Sequence, residues 1–394
     1  MLEGSVRRHG DRLRVTAQLV NTLDGQPLWS SRFDRTLTDL FVVQDEIANE
    51  VVKALRGTLL TVPAIRIPAA GAAHDAYLRG RYHWNRFTLD SMVKAADLFE
   101  KARAIDPTYA LAHVGVADCY LQLGHSRAGY LRPLDAFPKA REAVDAALQL
   151  DPSLADAHCA LGCCRYWHDW DWAGAEQAFA HAVRLNPNHA TCRQWYALYL
   201  ATSRRFDEAR DQIRQALSLD PLSPLVNTYA AAIEYFACDY GSALSHAERL
   251  TEMAPDYVWG RYWLALVHGD GGDPFQAVDV LYRLLPDAPG MAIAVGKLAY
   301  YAGLAGQPDL SRSMLTRLDE MSRAQYVDPM LYGWCWIGLG DVDKAVEAYE
   351  AAYRERSPLF TVVPVDASSL VLSERPAFKD LLSRLRYPAT ALVP

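Results

Sequence analysis

Proline recurs in this sequence at a nearly fixed interval, and that interval constrains the fold more than any other feature. The series is Pro107, Pro152, Pro187, Pro221, Pro255 and Pro289. The last three intervals are 34 residues, the second is 35 and the first is 45. Each proline follows an apolar-periodic stretch, and proline ends helices because it has no amide hydrogen to donate. A break that recurs at this length predicts helix–turn–helix units stacked into a solenoid.

A second regularity lies in the stretch before each proline. Alanine, a large apolar residue and alanine stand 12, 8 and 5 residues before four of the prolines. The triplets are Ala95, Phe99 and Ala102; Ala140, Val144 and Ala147; Ala175, Phe179 and Ala182; and Ala209, Ile213 and Ala216. Offsets of 3 and 4 put each triplet on one helix face. We expect this small–large–small seam to let a second helix nest closely.

The partner for each such helix is an apolar-periodic segment upstream, as at 155–166 and 191–201. Small residues, and the pair Leu161-Gly162, mark the middle of these upstream segments. The small residues are Gly80, Ala117, Ala197, Ala231 and Ala265. This pattern resembles the tetratricopeptide repeat family, in which small residues lie where two helices approach most closely.

The resemblance implies a mainly α fold: a right-handed α-solenoid of about eight helix pairs over residues 74–357. Six pairs end at the prolines, and two more are expected at Met291–Arg323 and Asp328–Ser357. Arg193 departs from the family pattern, because it occupies a position that is usually large and apolar. An insertion of about 11 residues near 124–133 stretches the second unit. In the tail, 358–394, the apolar positions of Pro376–Leu385 predict a helix that caps the array.

The first 61 residues follow a different pattern. Residues 13–19 alternate between apolar and polar, which predicts a half-buried strand. A hairpin turn at 9–11 joins it to a strand before it, and Leu28–Asp34 is predicted to form a third strand. Asp39 is placed to cap a helix. These elements predict a small α/β module at 1–61, followed by a Pro- and Ala-rich linker at 62–73.

The residues of this module resemble the end of a TolB-amino-terminal-like domain, which precedes tetratricopeptide arrays in bacterial signalling proteins. The matching stretches are 2–8, 14–20, 28–35 and 44–48. Since Met1 falls where that domain is half complete, the resemblance implies a truncated domain. A sheet left with an open edge can pair with another copy, so a homodimer is also expected to be accessible.

Composition and charge narrow the class of function. A net charge of −7 argues against a protein that binds nucleic acid by itself or an anionic membrane surface. The sequence contains no apolar run of about 18 residues and no apolar leader near Met1, so we predict a cytoplasmic protein without a membrane partner. The seven irregularly spaced cysteines fit reduced thiols.

The densest group of reactive side chains is His158, Cys159, Cys163, Cys164 and His168. Cys159 and Cys163 share a helix face, so a metal site is one interpretation. Thiols that fill close-packed positions are the favoured interpretation, because adjacent cysteines point in different directions on a helix.

Three further stretches contain residue types that are common in ligand-binding sites. The acidic residues at 169–171 lack the other ligands of a calcium loop, and the glycines at 269–272 lack a following Walker lysine. The arginines between residues 7 and 14 are balanced by nearby acids. We therefore predict a protein that is not an enzyme and has no metal or other cofactor.

The resemblance implies that a protein or peptide partner binds in the concave groove formed by the first helices. The residues expected near that groove are Tyr77, Arg81, Trp84, Asp118, Gln122, Tyr166, Gln194, Thr228, Tyr235 and Tyr262. The predicted function is a non-catalytic scaffold or sensor in bacterial signalling or regulation. The alternative is a regulatory fragment of a winged-helix transcription regulator or adenylate cyclase-type protein, with its effector domain missing or encoded separately.

Overall fold

The computed structural model describes residues 2–9, 12–20, 27–36, 71–84, 89–125 and 130–392, which fall into two compact units divided at 66/67. The first unit contains strands β1 (Leu2–His9), β2 (Arg12–Val20) and β3 (Pro27–Thr36). They form an antiparallel sheet in the order β1-β2-β3. The predicted strands are therefore confirmed. The predicted turn at 9–11 lies partly outside the described residues, and the predicted helix after Asp39 lies wholly outside them.

The second unit contains sixteen helices in the described residues up to 354, arranged as eight consecutive pairs. They are α1 (Gly71–Trp84), α2 (Leu89–Ile105), α3 (Ala110–Gly124), α4 (Pro133–Leu150), α5 (Ala155–Cys164), α6 (Trp172–Leu185), α7 (Ala190–Thr202), α8 (Phe206–Leu219), α9 (Pro224–Phe236), α10 (Tyr240–Met253), α11 (Val258–Asp270), α12 (Pro274–Leu284), α13 (Ala292–Leu304), α14 (Pro308–Ser322), α15 (Pro329–Gly338) and α16 (Val342–Arg354). The fold of this unit is a mainly α solenoid, as predicted. The helix α1 begins within the stretch that was expected to be linker.

The predicted seam forms the core of each pair. All eight alanines of the four triplets have no exposed surface, and the large residues between them are at most 5% exposed. The two helices of the third pair approach closely, because a Cβ on Gly162 would lie only 2.7 Å from the ring of Phe179. The first helix of each pair also contacts the first helix of the next pair along the whole array. The first helices therefore form a continuous inner layer, which is where a groove-binding residue has to lie.

The Asp-Pro and Asn-Pro steps end the helices by a repeated set of hydrogen bonds. Asp106, Asp151 and Asn186 each accept, through the side chain, the amide hydrogen two residues on, at 2.9 to 3.1 Å. The carbonyl of each proline then accepts a hydrogen bond from the residue six positions later. The donors are His113, His158, Arg193 and Asn227. This explains why Arg193 replaces the large apolar residue that is usual at its position. In four successive repeats this position holds a side chain that donates a hydrogen bond to the proline carbonyl of the turn.

A second 34-residue period marks the turn inside each of pairs three to eight. Residues with positive φ recur at Trp170, Arg204, Cys238, Gly272, Gly306 and Gly340, each 34 after the last. Glycine adopts this left-handed conformation without a steric penalty, so three of the six positions carry it. The repeat thus continues with unchanged length past Pro289, where the proline spacing is lost.

After α16 the chain turns back into the array. A 3₁₀ segment, Pro358–Val365, is followed by α17 (Ala367–Leu370), α18 (Pro376–Leu385) and a last 3₁₀ turn, Ala389–Leu392. We call residues 358–366 the strap. The predicted closing helix is confirmed as α18, whose Phe378 packs edge-on against Tyr349 of α16. Among the helices of the described ranges, none has both the length and the apolar content that crossing a bilayer requires.

Candidate functional site

The inner layer of first helices is divided into two parts by the strap. The strap contacts α7 and the single π-helical turn that follows α5, Arg165–Asp169. A pocket remains on the N-terminal side, built by pairs one to four. On the C-terminal side, the strap lies against the inner helices of the later pairs. The predicted groove residues are distributed over both parts.

The N-terminal pocket is lined by residues from α1, α3, α5, the π-helical turn and the start of α7. They are Arg81, Trp84, Asp118, Leu121, Gln122, Asp156, Cys159, Ala160, Cys163, Trp167, His189, Thr191 and Trp195. Four of the ten predicted groove residues, Arg81, Trp84, Asp118 and Gln122, are therefore brought together here. Asp156, His189 and Trp195 belong to the same surface but were not predicted.

Arg81 and Asp118 face each other across the gap between α1 and α3. An Nη1 of Arg81 lies 3.7 Å from an Oδ2 of Asp118, and its guanidinium carbon lies 4.8 Å from the ring centroid of Trp84. Burial raises the pKa of Asp118 to about 7, although Arg81 acts in the opposite direction. The carboxyl group is therefore half protonated near neutral pH, and added positive charge beside it would favour the ionised form.

A second acidic group is held by His189 at the other side of the pocket. The Nε2 of His189 lies 3.3 Å from an Oδ1 of Asp156, while its Nδ1 accepts the amide hydrogen of Cys192 at 3.2 Å. Burial would lower the pKa of His189, but Asp156 outweighs it and raises the pKa to about 9. Protonation of His189 would place a hydrogen on Nδ1. The amide hydrogen of Cys192 points at that same nitrogen and therefore disfavours protonation. The ring donates toward Asp156 in either state.

Aromatic rings form much of the remaining wall. Trp167 and Trp195 meet edge to face with centroids 4.9 Å apart, and His125 packs edge-on against the other side of Trp167 at 4.8 Å. Such rings offer a large contact area at a small cost in conformational entropy. Together with two carboxyl groups, they make a surface suited to a side chain that combines an apolar stem with a polar or positive end.

The reactive group noted in the sequence does not converge on one point. His158 is bound to the Pro152 carbonyl, and His168 stacks on Phe137 with ring centroids 5.1 Å apart. Burial raises the pKa of Cys164 to about 12. Within the part of the chain that the structure describes, no set of three His, Cys, Asp or Glu side chains has the geometry of a metal site.

Six predicted groove residues lie elsewhere. Tyr77 packs against Tyr109 and Phe99, with centroids 5.2 and 5.5 Å away. Gln194 and Thr228 have no exposed surface, and the hydroxyl of Thr228 donates to the Pro224 carbonyl. These side chains belong to the packing between helices, and Gln194 and Thr228 offer no surface to a partner in this structure.

The other three predicted residues face the strap. The hydroxyl of Tyr166 lies 2.6 Å from that of Thr202, and Thr361 of the strap also bonds to it. Tyr235 and Tyr262 line a cleft between the strap and the inner helices. The chain itself therefore covers these three positions.

The strap is tied to the array along its length. Phe360 meets Trp170 edge to face at 5.6 Å, and its carbonyl accepts the Tyr387 hydroxyl at 2.6 Å. The indole of Trp172 donates to the Leu385 carbonyl at 2.9 Å, which fixes the chain after α18 on the third pair. The Phe360–Trp170 and Trp172–Leu385 contacts join residues 190 and 213 positions apart, so they hold the end of the solenoid against its middle.

The end of the strap carries a buried ion pair. The Nζ of Lys297 lies 2.7 Å from an Oδ1 of Asp366, and the side chains are 2% and 6% exposed. The same ammonium lies 4.2 Å from the ring centroid of Trp334 and 3.2 Å from the Ser368 hydroxyl. Burial acts to raise the pKa of Asp366, but Lys297 and the serine hydroxyls outweigh it and lower the pKa below its ordinary value.

Sequence reasoning missed the strap because its residues carry no repeat and no groove motif. One signal for the pocket was present in the sequence. Asp156 and His189 lie at the starts of the first helices α5 and α7, and the tetratricopeptide pattern assigns the first helices to the inner face. The 34-residue spacing of Gly272, Gly306 and Gly340 was also readable in the sequence, and it would have strengthened the seventh and eighth pairs.

Comparison with known proteins supports the repeat assignment. Residues 166–224 match the model of the tetratricopeptide repeat family. A crystal structure of a tetratricopeptide repeat protein from Parabacteroides merdae aligns with a TM-score of 0.46 at 10% identity, covering 70% of this chain and 99% of that one. The family match places residues 166–224 within a tetratricopeptide repeat, and the alanine seam and the regular turns show a similar helix-pair pattern in neighbouring pairs.

Two curated relatives match parts of the chain. Putative adenylate cyclase 3 of Rhizobium meliloti is 36% identical over 121 residues, which is 30% of this chain and 21% of the cyclase. Transcriptional regulator HilA of Salmonella typhimurium is 24% identical over 209 residues, 53% of this chain and 37% of the regulator. The chain therefore spans only a minor part of the length of each relative.

Proposed function

From an array of helix pairs whose described inner surface forms a pocket at the first four pairs, we propose a non-catalytic scaffold or sensor that binds a protein or peptide in the N-terminal pocket. The observation that carries the proposal is the pocket itself, since it collects inner-face side chains from four consecutive repeats. The strap covers the later inner surface, so the binding segment is short.

The chemistry of the pocket favours a partner segment with a basic side chain. Two carboxyl groups, Asp118 and Asp156, face one guanidinium and one imidazole, and burial raises the pKa of Asp118 to about 7 although Arg81 lies beside it. A lysine or arginine placed beside Asp118 would draw the proton off the carboxyl and stack its stem on a tryptophan. Affinity for such a partner should therefore rise with pH through neutrality.

The test is affinity purification of the full chain from its native host, followed by binding measurements with the identified partner. Trp84→Ala is expected to weaken binding at least tenfold, because it removes a ring on which the stem of the basic side chain would stack. Arg79→Ala is the matched control, since Arg79 lies on the same helix, is 66% exposed and does not line the pocket. A partner that binds the Trp84 variant as tightly as it binds the Arg79 variant and the unmodified protein would refute the proposal.

A second candidate is a regulatory module that acts on a separately encoded cyclase or winged-helix regulator. It is favoured by the names of the two curated relatives, one a putative adenylate cyclase and the other a transcriptional regulator. A two-hybrid assay against the cyclases and winged-helix regulators of the host tests it. An interaction that the Trp84 variant loses and the Arg79 variant retains would support both candidates together, whereas no interaction with either class would exclude the second.

We further propose that the three-stranded sheet is part of a TolB-amino-terminal-like domain, with signalling as its context. The support is the sequence resemblance together with the antiparallel order β1-β2-β3. Its open edge remains a candidate surface for homodimer formation. Sedimentation equilibrium of the full chain and of a chain beginning at residue 67 would test this, since only the full chain should dimerise.

A further inference from the structure

Three thiols meet beside the N-terminal pocket, at the contact between α5 and α7. Cys159 and Cys163 belong to α5, and Cys192 lies in the first turn of α7. The thiols of Cys163 and Cys192 both lie within hydrogen-bond distance of the Cys159 sulfur. The group is not visible in the sequence, because its third member is one repeat further along the chain and reaches the other two only when the inner helices pack.

Of the three, Cys159 is the thiol that a solute reaches first. It lines the pocket and keeps 6% of its surface exposed, whereas Cys192 has no exposed surface. The pocket has a volume of about 30 Å³, and a water-sized group needs roughly 10 to 15 Å³ on such a measure. A reagent with two heavy atoms therefore reaches the Cys159 sulfur. A molecule with bulky groups on both sides of its reactive atoms, such as oxidised glutathione, does not.

The surroundings favour the thiolate form of Cys159. Hydrogen bonds from Cys163 and Cys192 lower its pKa well below the ordinary value, and His189 acts in the same direction, against the effect of burial. Burial raises the pKa of the Cys163 thiol and of the Cys192 thiol. Because the thiolate is the nucleophilic form of cysteine, the group contains one nucleophilic sulfur and two that remain protonated.

Helix geometry selects the thiol that can join Cys159 in a disulfide. Cys163 stands four residues along the same helix, where Cβ atoms are about 5–6 Å apart. A disulfide needs Cβ atoms about 3.5–4.5 Å apart, so this pair cannot close without distorting α5. Cys192 belongs to a separate helix, and two packed helices shift relative to each other more easily than one helical turn shortens. Cys192 is therefore the partner.

We propose that Cys159 is a peroxide-reactive thiol and that Cys192 resolves its oxidised form as a disulfide between α5 and α7. The Cys159 thiolate attacks one oxygen of hydrogen peroxide, the O–O bond breaks, and a sulfenic acid and hydroxide form. The Cys192 sulfur then attacks the sulfenic sulfur, the S–O bond breaks, and the Cys192 proton leaves with the oxygen as water. Two thiols are oxidised and one peroxide is reduced. The new bond fastens two inner helices of the pocket.

The experiment treats the reduced full chain with hydrogen peroxide and quenches it in denaturant with dimedone, which labels sulfenic acids. Peptide mass spectrometry then locates every product, and the expected one is a Cys159–Cys192 disulfide. The exposed Cys238 is the internal reference. Cys159 should react with peroxide at least about tenfold faster than Cys238, because a thiolate is the attacking species. Oxidised glutathione should give the reverse order, since it reaches Cys238 but not the pocket.

Two serine variants provide a matched comparison. Cys192→Ser removes the resolving thiol, so Cys159 should accumulate as a sulfenic acid that dimedone labels. Cys163→Ser keeps a hydrogen-bond donor beside Cys159 and should still form the disulfide. Circular dichroism checks that both variants fold. The location of the disulfide in the unmodified chain is a separate readout that stands even if a variant fails to fold.

The outcomes differ in the products that they leave. A Cys159–Cys192 disulfide that forms faster than Cys238 is oxidised supports the proposal. Oxidation of Cys238 with Cys159 unchanged would overturn it, and so would a Cys159–Cys163 disulfide. Equal dimedone labelling of Cys159 in the unmodified chain and in Cys192→Ser would also overturn it. The measurement needs no partner, so failure of partner binding in the N-terminal pocket does not bear on this result.

Discussion

Replacing Lys297 by methionine should loosen the strap, and the size of the effect can be worked from the buried ion pair. The substitution keeps the apolar stem but leaves the Asp366 carboxyl 6% exposed without its counter-charge. Breaking such a pair usually costs about 3–5 kcal/mol. The carboxyl can escape part of that cost by taking up a proton. Protonation at pH 7 costs about 4 kcal/mol, because each pH unit above the ordinary value of about 3.9 costs about 1.4.

The cost of protonating Asp366 sets an upper limit on the loss of stability, and this limit depends on pH. For Lys297→Met the loss should be about 4 kcal/mol at pH 7 and about 1.5 at pH 5, where the proton is more readily available. Asp366→Asn should behave in the opposite sense, since it strands the ammonium, which sheds its proton more easily as pH rises. The double variant should be close to neutral, because matched apolar or neutral groups replace the pair.

The unmodified protein has its own expected pH limit. The lowered pKa of Asp366 stabilises the folded strap above the unfolded value of about 3.9, and that contribution is lost as pH falls through the folded value. The strap should therefore hold between pH 5 and 8 and loosen only below about pH 4.

The assay is amide hydrogen exchange on residues 355–385, because a repeat array does not unfold in one step and a global midpoint would mix its parts. Urea melts followed by tryptophan fluorescence give the summed effect. A loss of stability below 1 kcal/mol for Lys297→Met at pH 7, or the same loss at pH 5 and pH 7, would refute the reasoning. It would show that water or local motion already relieves the buried charge.

Three further outcomes are expected. Asp118→Asn should flatten the roughly tenfold rise in affinity for a basic partner between pH 6 and 8, measured by titration calorimetry, since the group with a pKa of about 7 is gone. Gly303→Ala should lower thermal stability by more than about 2 kcal/mol, because its Cβ would collide with the Gly338 backbone; an unchanged melt would mean that the two helices can separate at little cost. Trp172→Phe should cost about 1–2 kcal/mol by leaving the Leu385 carbonyl without its donor, seen as faster exchange in α18.

Local rules account for the parts of the fold that the sequence predicted. Asp106 and the proline after it act within a few residues, so a turn there is visible without knowledge of distant contacts. The same holds for the triplet around Phe179, whose spacing sets a helix face. Pairs of neighbouring helices then follow, because a solenoid needs contacts only between adjacent units.

The strap could not be predicted on that basis. Its contacts join Phe360 to Trp170 and Asp366 to Lys297, across separations of 190 and 69 residues. Lysine on an inner helix face would ordinarily indicate a solvated or ligand-binding position, so the sequence alone gives Lys297 the wrong environment. Tyr166 and Tyr235 are expected near the groove from their positions within single helices, but a local rule cannot say what covers a helix face.

The strap also explains why an array of eight pairs presents so small an open surface. Without it, Trp170 and the tyrosines of α9 and α11 would leave a long aromatic face in water, and faces of this kind promote association. Covering that face by the chain itself removes the hazard and holds the end of the solenoid against its third pair. Since the anchors at Trp172 and Lys297 are buried, a partner gains little by competing for the covered part. Selectivity for a partner then rests on the few side chains around Arg81 and Asp118, where a single charge change is expected to have its largest effect.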